Sequence, residues 1–227
     1  MPLAASSEPL PLSQQQVFEG AQRLGLLIDG GQADQLLTYL ACLQRWNAVH
    51  ALSAWRRPAD LLVHHVFDSM TLVGPLSRYA AGKPLRILDA GSGPGFPAAV
   101  LAVLRPDWAV TAVDAVAKKV AFVRQAATEA GIGNLSGQHA RLESLRVPGP
   151  FDVVVSRAFT SLDRFVALTG HLLKSDGVWV AQKGRRSNDE MNELREGVEV
   201  FHVEPVTVPG LAAERHLVWM RRLSDDR

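Results

Sequence analysis

The stretch that decides the fold is Asp89-Ala-Gly-Ser-Gly-Pro-Gly-Phe96, a glycine-rich segment that directly follows the apolar run Leu85–Asp89. Its three glycines allow a tight turn and let a ligand approach the backbone at a distance that a side chain would prevent. A helical pattern, Pro97–Leu104, comes next. We therefore predict a strand, a ligand-binding loop and a helix, with the loop at the carboxyl end of the strand, where open α/β sheets bind ligands.

Short apolar runs and helical patterns alternate after this loop. Such alternation predicts βαβ units, and hence a Rossmann-like α/β fold with a mainly parallel sheet and helices on both faces. The end of the chain predicts a terminal antiparallel pair of strands. The runs are the strands Ala109–Asp114, Phe151–Ser156 (the fourth) and Gly177–Gln182, the helix Lys118–Ala130, and the pair Val198–Thr207 and His216–Met220.

The residues before the sheet predict helices. Ser13 is a suitable N-cap for a helix through Leu24. Apolar residues at helical spacing predict a second helix, and a third is predicted from Pro58 to Leu72. The apolar stripe of the second helix contains Leu36, Leu37, Leu40, Leu43 and Trp46.

These patterns divide the chain into three parts. Residues 1–12, rich in Pro, Ser and Ala, are predicted to be a flexible tail, and residues 13–80 a helical section. Residues 81–227 are predicted to form the ligand-binding core as a single compact unit, because no linker within them is long or polar enough to separate a second domain.

Composition and charge exclude several classes of protein. The chain has 24 Lys and Arg against 23 Asp and Glu, a net charge of +1, which argues against nonspecific coating of nucleic acid. Cys42 is the only cysteine, so no intrachain disulfide forms and the cytoplasm is the natural compartment. No apolar run reaches the ~18 residues of a membrane span, and no metal-ligand spacing occurs. We expect a cytoplasmic monomer without membrane or metal.

The loop suits a ligand without phosphate. A dinucleotide fingerprint requires glycine where this chain has Phe96, and Pro94 and Pro97 each remove a backbone N–H that a pyrophosphate would need. The pattern Asp-x-Gly-x-Gly-x-Gly is typical of S-adenosylmethionine binding. Asp114, at the end of the second strand, can accept hydrogen bonds from ribose hydroxyls. We predict that the cofactor-binding residues include Gly91, Gly93, Gly95 and Asp114.

Further motifs carry a family resemblance from about Leu36 to Met220. They are Arg45-Trp-Asn47, His65-Val-Phe-Asp-Ser69, Asp89–Pro97, Ser156-Arg-Ala-Phe159, Lys183-Gly184 and Glu214-Arg-His-Leu217. On these motifs the chain resembles the small-subunit rRNA guanine-N7 methyltransferases, also called the glucose-inhibited division protein B family. It departs from them at Ala51-Leu-Ser53, where the family usually has Asn-Leu-Thr, and this weakens any substrate role for position 51.

The resemblance implies a class I S-adenosylmethionine-dependent methyltransferase that acts on N7 of one guanosine in small-subunit (16S) ribosomal RNA. It implies that Gly91 and Phe96 contact the cofactor, that Leu142 and Glu143 flank its adenine, and that Arg157 lies beside the methyl-transfer site. Arg157 is thus both a cofactor-binding and a catalytic candidate. Asn47 is the second catalytic candidate. The substrate is naked rRNA, the small subunit or an assembly intermediate.

The chemistry of the residues agrees with this acceptor. Methylation of pyrimidine C5 needs a cysteine nucleophile, and Cys42 lies among apolar neighbours in a predicted helix. Methylation of an exocyclic amine usually uses an Asp/Asn-Pro-Pro-aromatic loop, and Ser156–Phe159 is different. N7 of guanine carries a lone pair and no proton, so its methylation requires alignment and no general base.

RNA contacts are predicted around the mouth of the site. The candidates are Lys118, Lys119, Arg141 and Lys183 for phosphates, His65 for a further contact, and Phe159 for stacking on a splayed base. Three alternatives stay open: a methyltransferase acting on a small molecule or a protein, a nucleotide-dependent oxidoreductase, and a non-catalytic RNA-binding assembly factor.

Overall fold

The computed structural model describes residues 12–157, 160–184 and 188–223 and contains a seven-stranded mixed sheet. The strand order is β3-β2-β1-β4-β5-β7-β6. The first five strands are parallel, and β7 runs antiparallel to both of its neighbours. The bounds are β1 Arg86–Ala90, β2 Ala109–Asp114, β3 Leu135–His139, β4 Phe151–Arg157, β5 Leu173–Lys183, β6 Val198–Val206 and β7 Arg215–Arg222. The predicted α/β fold and its terminal antiparallel pair are confirmed.

Helices precede the sheet and connect its strands. Within the described ranges they are α1 Gln14–Arg23, α2 Gly30–His50, α3 Pro58–Leu61, α4 Asp68–Met70, α5 Val73–Ala80, α6 Ala98–Leu104, α7 Ala117–Glu129, α8 Leu162–Thr169 and α9 Asn188–Asn192. None of them is long and apolar enough to cross a membrane. The predicted tail, residues 1–12, lies outside the described residues except for Leu12.

Capping residues fix where the first two helices begin. The Ser13 side chain accepts from the backbone N–H of Gln16, whose own side chain accepts from the N–H of Ser13. Asp29 and Gln32 make the same reciprocal pair at the start of α2. Each pair satisfies two backbone donors that a helix start leaves without a partner. The predicted N-cap at Ser13 is confirmed.

The predicted third helix is divided in two by a π-helical turn, Leu62–Phe67. The backbone N–H of Asp68 donates to the carbonyls of Val63 and His65 instead of the carbonyl of His64, which an α-helix would use. The prediction of one regular helix from Pro58 to Leu72 is therefore wrong in this segment. The π register leaves the carbonyl of His64 available to a partner from the sheet.

Alternate residues of the central strands pack into two hydrophobic clusters on opposite faces of the sheet. Ile87 and Val153 belong to the cluster that contains α2, α6 and α7, whereas Leu88 and Val154 belong to the cluster that contains α8. This alternation follows from the two-residue repeat of a strand. The sheet is thus covered on both faces, and its carboxyl edge is left for a site.

Candidate active site

The backbone N–H groups of the glycine loop between β1 and α6 are all bound by acceptors within the protein. Every N–H from Gly91 to Ala99 donates within the loop or to the neighbouring strand end, and the two prolines have no N–H to donate. A pyrophosphate would therefore find no free donor here, as the sequence predicts. The acceptors are Val113 O for Gly91 and Ser92, Asp114 Oδ2 for Gly93, Ser92 O for Gly95 and Phe96, Asp89 Oδ2 for Ala98 and Gly95 O for Ala99.

Gly93 and Gly95 both have a positive φ, which favours glycine, but their surroundings differ. Gly93 has φ +58° and a Cβ added there would meet no atom within 4 Å, so its neighbourhood is open. Gly95 has φ +82° and a Cβ would overlap the hydroxyl of Tyr39. Tyr39 in turn donates to the carbonyl of Pro94 at 3.1 Å. Gly95 thus lets α2 pack against the loop, and the structure places it outside the cavities described next.

A first cavity of about 460 Å³ lies at the carboxyl ends of β1, β2 and β4. Asp114, at one wall, accepts from Val116 N (2.8 Å) and Gly93 N (3.0 Å). Leu142 and Glu143 belong to a short 3₁₀ turn that follows β3 and lines the same cavity. The structure brings together in this cavity six residues that the sequence singles out, namely Gly91, Asp114, Arg141, Leu142, Glu143 and Arg157.

Sequence reasoning misses two polar residues of the first cavity, Thr160 and Arg164 in the first turn of α8. Lys119 on α7, predicted as a phosphate contact, also lines this cavity. Ser161 caps α8 by accepting from the N–H of Arg164. This N-cap, followed by the helical spacing of Leu162, Phe165 and Val166, is the signal that locates the helix.

A second cavity of about 480 Å³ lies on the other side of the loop and shares two wall residues, Gly91 and Arg157, with the first. The π-helical turn and β5 provide other walls. The predicted residues in this second cavity, apart from the two shared ones, are Gly93, Phe96, His65 and Lys183, and the residues not predicted for the site include Trp55, His64, Asp68, Gln182 and Arg215.

Arg157, at the end of β4, is fixed by three acceptors from the helical section. Nη1 donates to the carbonyl of His64 (2.5 Å) and to Asp68 Oδ2 (3.0 Å), and Nη2 donates to His65 Nδ1 (3.0 Å). The carbonyl of His64 is the one that the π register leaves available. The π-helical turn thus holds the guanidinium at the boundary between the two cavities.

Asp68 is a buried carboxylate that faces two guanidinium groups. Besides Arg157, it accepts from Arg215 Nε at 2.9 Å and from Gln182 Nε2 at 3.1 Å. His65 and Asp68 are three residues apart, a spacing that would let them pair on one face of an α-helix, but each of them contacts Arg157 instead. The carboxylate offsets positive charge close to the shared wall.

His65 is neutral in the folded protein. Burial, with the charge of Arg157, lowers the pKa of His65 to about 3. Because a guanidinium only donates, Nδ1 accepts from Arg157, and Nε2 carries the proton and donates it to Ser53 Oγ at 2.8 Å. The ring also stacks on Phe96, with centroids 4.7 Å apart. This buried ring aligns Arg157 with the glycine loop.

Asn47 binds the loop between α2 and α3. Its Nδ2 donates to the carbonyl of Trp55 (2.9 Å), and its Oδ1 accepts from the N–H of Ser53 (2.8 Å). The structure places Asn47 behind the wall residue Trp55 and does not bring it to either cavity. Its predicted catalytic role remains a prediction.

The cations predicted to meet RNA lie in three different surroundings. Lys118 is exposed and donates to the carbonyl of His50. Lys183 pairs with Glu190 (2.6 Å) and donates to the carbonyl of Thr160 (2.7 Å), so it links the walls of the two cavities. Arg141 lines the first cavity. Phe159, predicted to stack on a base, lies outside the described residues. In the described part of the chain, no group of three or more His, Cys, Asp or Glu could hold a metal ion.

Comparison with known proteins identifies relatives over nearly the whole chain. Residues 32–218 match the family model described as rRNA small subunit methyltransferase G. The Ribosomal RNA small subunit methyltransferase G of Leptothrix cholodnii is 50% identical over 205 residues, covering 90% of this chain and 94% of the relative. Its namesake from Paracidovorax citrulli is 46% identical over 232 residues, covering 97% and 93%.

Solved structures with low identity share the fold. TrmN from Thermus thermophilus matches with a TM-score of 0.53 at 20% identity, covering 68% of this chain and 49% of its own. Coclaurine N-methyltransferase bound to N-methylheliamine and SAH matches with a TM-score of 0.52 at 12% identity, covering 86% and 79%. At such identities the likeness concerns the fold alone.

Proposed function

The chain belongs to the rRNA small subunit methyltransferase G family, and from this premise we propose that it transfers a methyl group from S-adenosylmethionine to N7 of a guanosine in small-subunit ribosomal RNA. The observation that carries the proposal is the pair of cavities that share Gly91 and Arg157. One cavity takes the cofactor and the other takes the guanine. The proposed place of action is the cytoplasm, where such RNA is found.

The first cavity fits S-adenosylmethionine, which when bound supplies a methyl group activated by a sulfonium sulfur. Asp114 has a carboxylate at the cavity wall for the ribose hydroxyls. Leu142 presents an apolar surface to the adenine, with Glu143 beside it. Arg141 and Arg164 line the same cavity as cations for the cofactor's carboxylate, whereas Lys119 pairs with Asp114 at 3.5 Å. The internally bonded glycine loop has no donors for phosphates, which the cofactor does not contain.

The second cavity fits an acceptor that needs alignment and no general base. N7 of guanine offers a lone pair, so the protein has only to hold the ring in line with the methyl group. Transfer moves positive charge toward the guanine, and an uncompensated cation beside it would oppose the step. Asp68 pairs with both Arg157 and Arg215 and so offsets one of the two positive charges at this wall. His65, held neutral by burial, adds no positive charge.

The proposal is tested by incubating the protein and labelled cofactor with small ribosomal subunits from cells that lack the gene. We expect one 7-methylguanosine per subunit, detected by mass spectrometry of the digested rRNA. The matched variant Asp114→Asn keeps the size of the side chain and removes its charge. Its affinity for the cofactor should fall at least about tenfold, because hydrogen bonds to charged groups contribute about 1.5–3 kcal/mol.

Two outcomes would contradict different parts of the proposal. Calorimetry without detectable binding of S-adenosylmethionine would refute the assignment of the first cavity. Binding of the cofactor without methylation of subunits, naked rRNA or assembly intermediates would refute the RNA acceptor, and would leave a methyltransferase with another substrate or a non-catalytic assembly factor.

A further inference from the structure

Trp55 presents a large aromatic surface at the mouth of the second cavity. Its side chain lies in the loop between α2 and α3 and is 40% exposed, whereas Phe96, deeper in the same cavity, is 2% exposed. The indole is stacked flat on the imidazole of His64, with centroids 3.6 Å apart and an interplanar angle of 2°. The two rings form a double aromatic platform, Trp55 and His64.

The platform is held in place before any ligand arrives. The N–H of Trp55 donates to Ser53 Oγ (3.1 Å), and its carbonyl accepts from Asn47 (2.9 Å). Asn47 is itself buried at the end of α2 and also binds the N–H of Ser53. A fixed aromatic ring loses little conformational entropy when a ligand stacks on it.

His64 connects the platform to the proposed site of methyl transfer. The ring of His64 supports Trp55, and the carbonyl of the same residue accepts from Arg157, which lines both cavities. Burial lowers the pKa of His64, so its ring is neutral near pH 7. Lys183 and Arg215 line the same cavity. An exposed aromatic ring in a cavity that also contains basic side chains is a combination found in proteins that bind unpaired nucleotides.

We propose that Trp55 stacks on the base next to the acceptor guanosine and so holds the unpaired RNA strand at the mouth of the second cavity. The inference rests on the proposed function. A base that leaves its stack to reach an active site loses its neighbours, and an aromatic side chain replaces that contact. The exposed position of Trp55 fits the flanking nucleotide, because the acceptor itself must reach Gly91 and Arg157 further inside.

The test compares Trp55→Ala, Trp55→Leu and Trp55→Phe with the control Phe201→Ala. Phe201 is similarly exposed but lies on β6, where it packs against Trp219. With unmodified small subunits as substrate, the Ala and Leu variants should raise the KM for RNA about tenfold, as expected for loss of one base–aromatic stack. Trp55→Phe should restore most of the wild-type KM, and Phe201→Ala should leave it unchanged.

The kcat and the affinity for S-adenosylmethionine distinguish stacking from a structural effect. Both should stay near wild type in all four variants if Trp55 only stacks on RNA. A substitution that displaced Arg157 would instead alter the first cavity as well, and would lower kcat and the affinity for the cofactor together. A wild-type KM in Trp55→Ala, a Leu variant as good as the Phe variant, or a parallel loss of kcat and cofactor affinity would each overturn the inference. If the wild-type protein methylates no RNA, the proposed function itself is refuted, and the inference about Trp55 is refuted with it.

Discussion

Asp89 is an acidic residue in an almost completely buried position, which disfavours its ionised form. It is 1% exposed, and Oδ2 accepts from the N–H of Ala98 at 3.0 Å, which attaches the start of α6 to the end of β1. Oδ1 has no hydrogen-bond partner in the described part of the chain. Burial, only partly opposed by the Ala98 hydrogen bond and the charge of Arg157, raises the pKa of Asp89 to about 7. The protonated form is therefore favoured in the folded state below about pH 7.

The Asp89→Asn variant tests this balance through the pH dependence of stability. The pKa of Asp89 in the folded protein, about 7, lies above the ordinary aspartate pKa of 3.8, so the contribution of Asp89 to stability is greatest below pH 3.8 and is lost as the pH rises through 7. The free energy of unfolding of the wild type, minus that of the variant, should fall between pH 4 and 7, with a maximum slope of about 1.4 kcal/mol per pH unit.

Urea denaturation of both proteins at several pH values measures this difference. His65, with its pKa lowered to about 3, makes both proteins more stable as the pH rises toward 6.5, and its effect cancels in the subtraction. A difference that stays constant from pH 4 to 7 would show that Asp89 is ionised in the folded protein.

Single residues were predictable where the topology alone fixes their place. Gly91, Asp114 and Arg157 follow the carboxyl ends of parallel strands, and such ends meet at one edge of the sheet. Trp55 and Arg164 were not predictable in this way. They reach the cavities through an irregular loop and the first turn of α8, and the sequence does not specify how these segments fold back onto the sheet.

At the scale of elements, the sequence predicts the helices and strands with strong periodicity and misses those without it. β3 reads Leu-Ser-Gly-Gln-His, and only Leu135 in it is buried, because the strand lies at the edge of the sheet. The π-helical turn has ordinary helical composition, and its register depends on contacts with Arg157 that lie far away in the sequence. Neither feature has a local signal that pattern reasoning could use.

Deletion of Val63 tests the role of the π-helical turn. One residue fewer should restore the α-helical register, in which the N–H of Asp68 takes the carbonyl of His64 away from Arg157. We expect the rate of methyl transfer to fall at least about tenfold, as for loss of a hydrogen bond to a charged group. Single-turnover assays with saturating cofactor measure the rate.

The length-preserving variant Val63→Ala is the matched control and should keep a rate near that of the wild type. Thermal unfolding shows whether the deleted protein still folds cooperatively. A folded deletion variant with the wild-type rate would mean that Arg157 does not depend on the π register.

At the scale of the whole molecule, the helical section and the sheet share one hydrophobic core. All residues of α6, Ala98–Leu104, are buried, and this helix contacts α2 and α4 as well as β2. A helix that is apolar on every side is stable only when it is covered on every side. The same cluster includes Leu36, Leu40 and Leu43 of α2, together with Phe122 and Val123 of α7. We therefore propose that residues 13–80 are part of the catalytic unit and not a separate domain.

A fragment of residues 81–227 tests this proposal. Without the helical section, one side of α6 and part of α7 would face water, and the buried partners of Arg157 would be absent. Exposed apolar area costs about 25 cal/mol per Å², so the loss should exceed the marginal stability of a domain of this size. We expect calorimetry to detect no cooperative unfolding of the fragment, and co-expression with residues 1–80 to restore it. A cooperative transition in the isolated fragment would establish that the sheet folds alone and that the helical section is an added module.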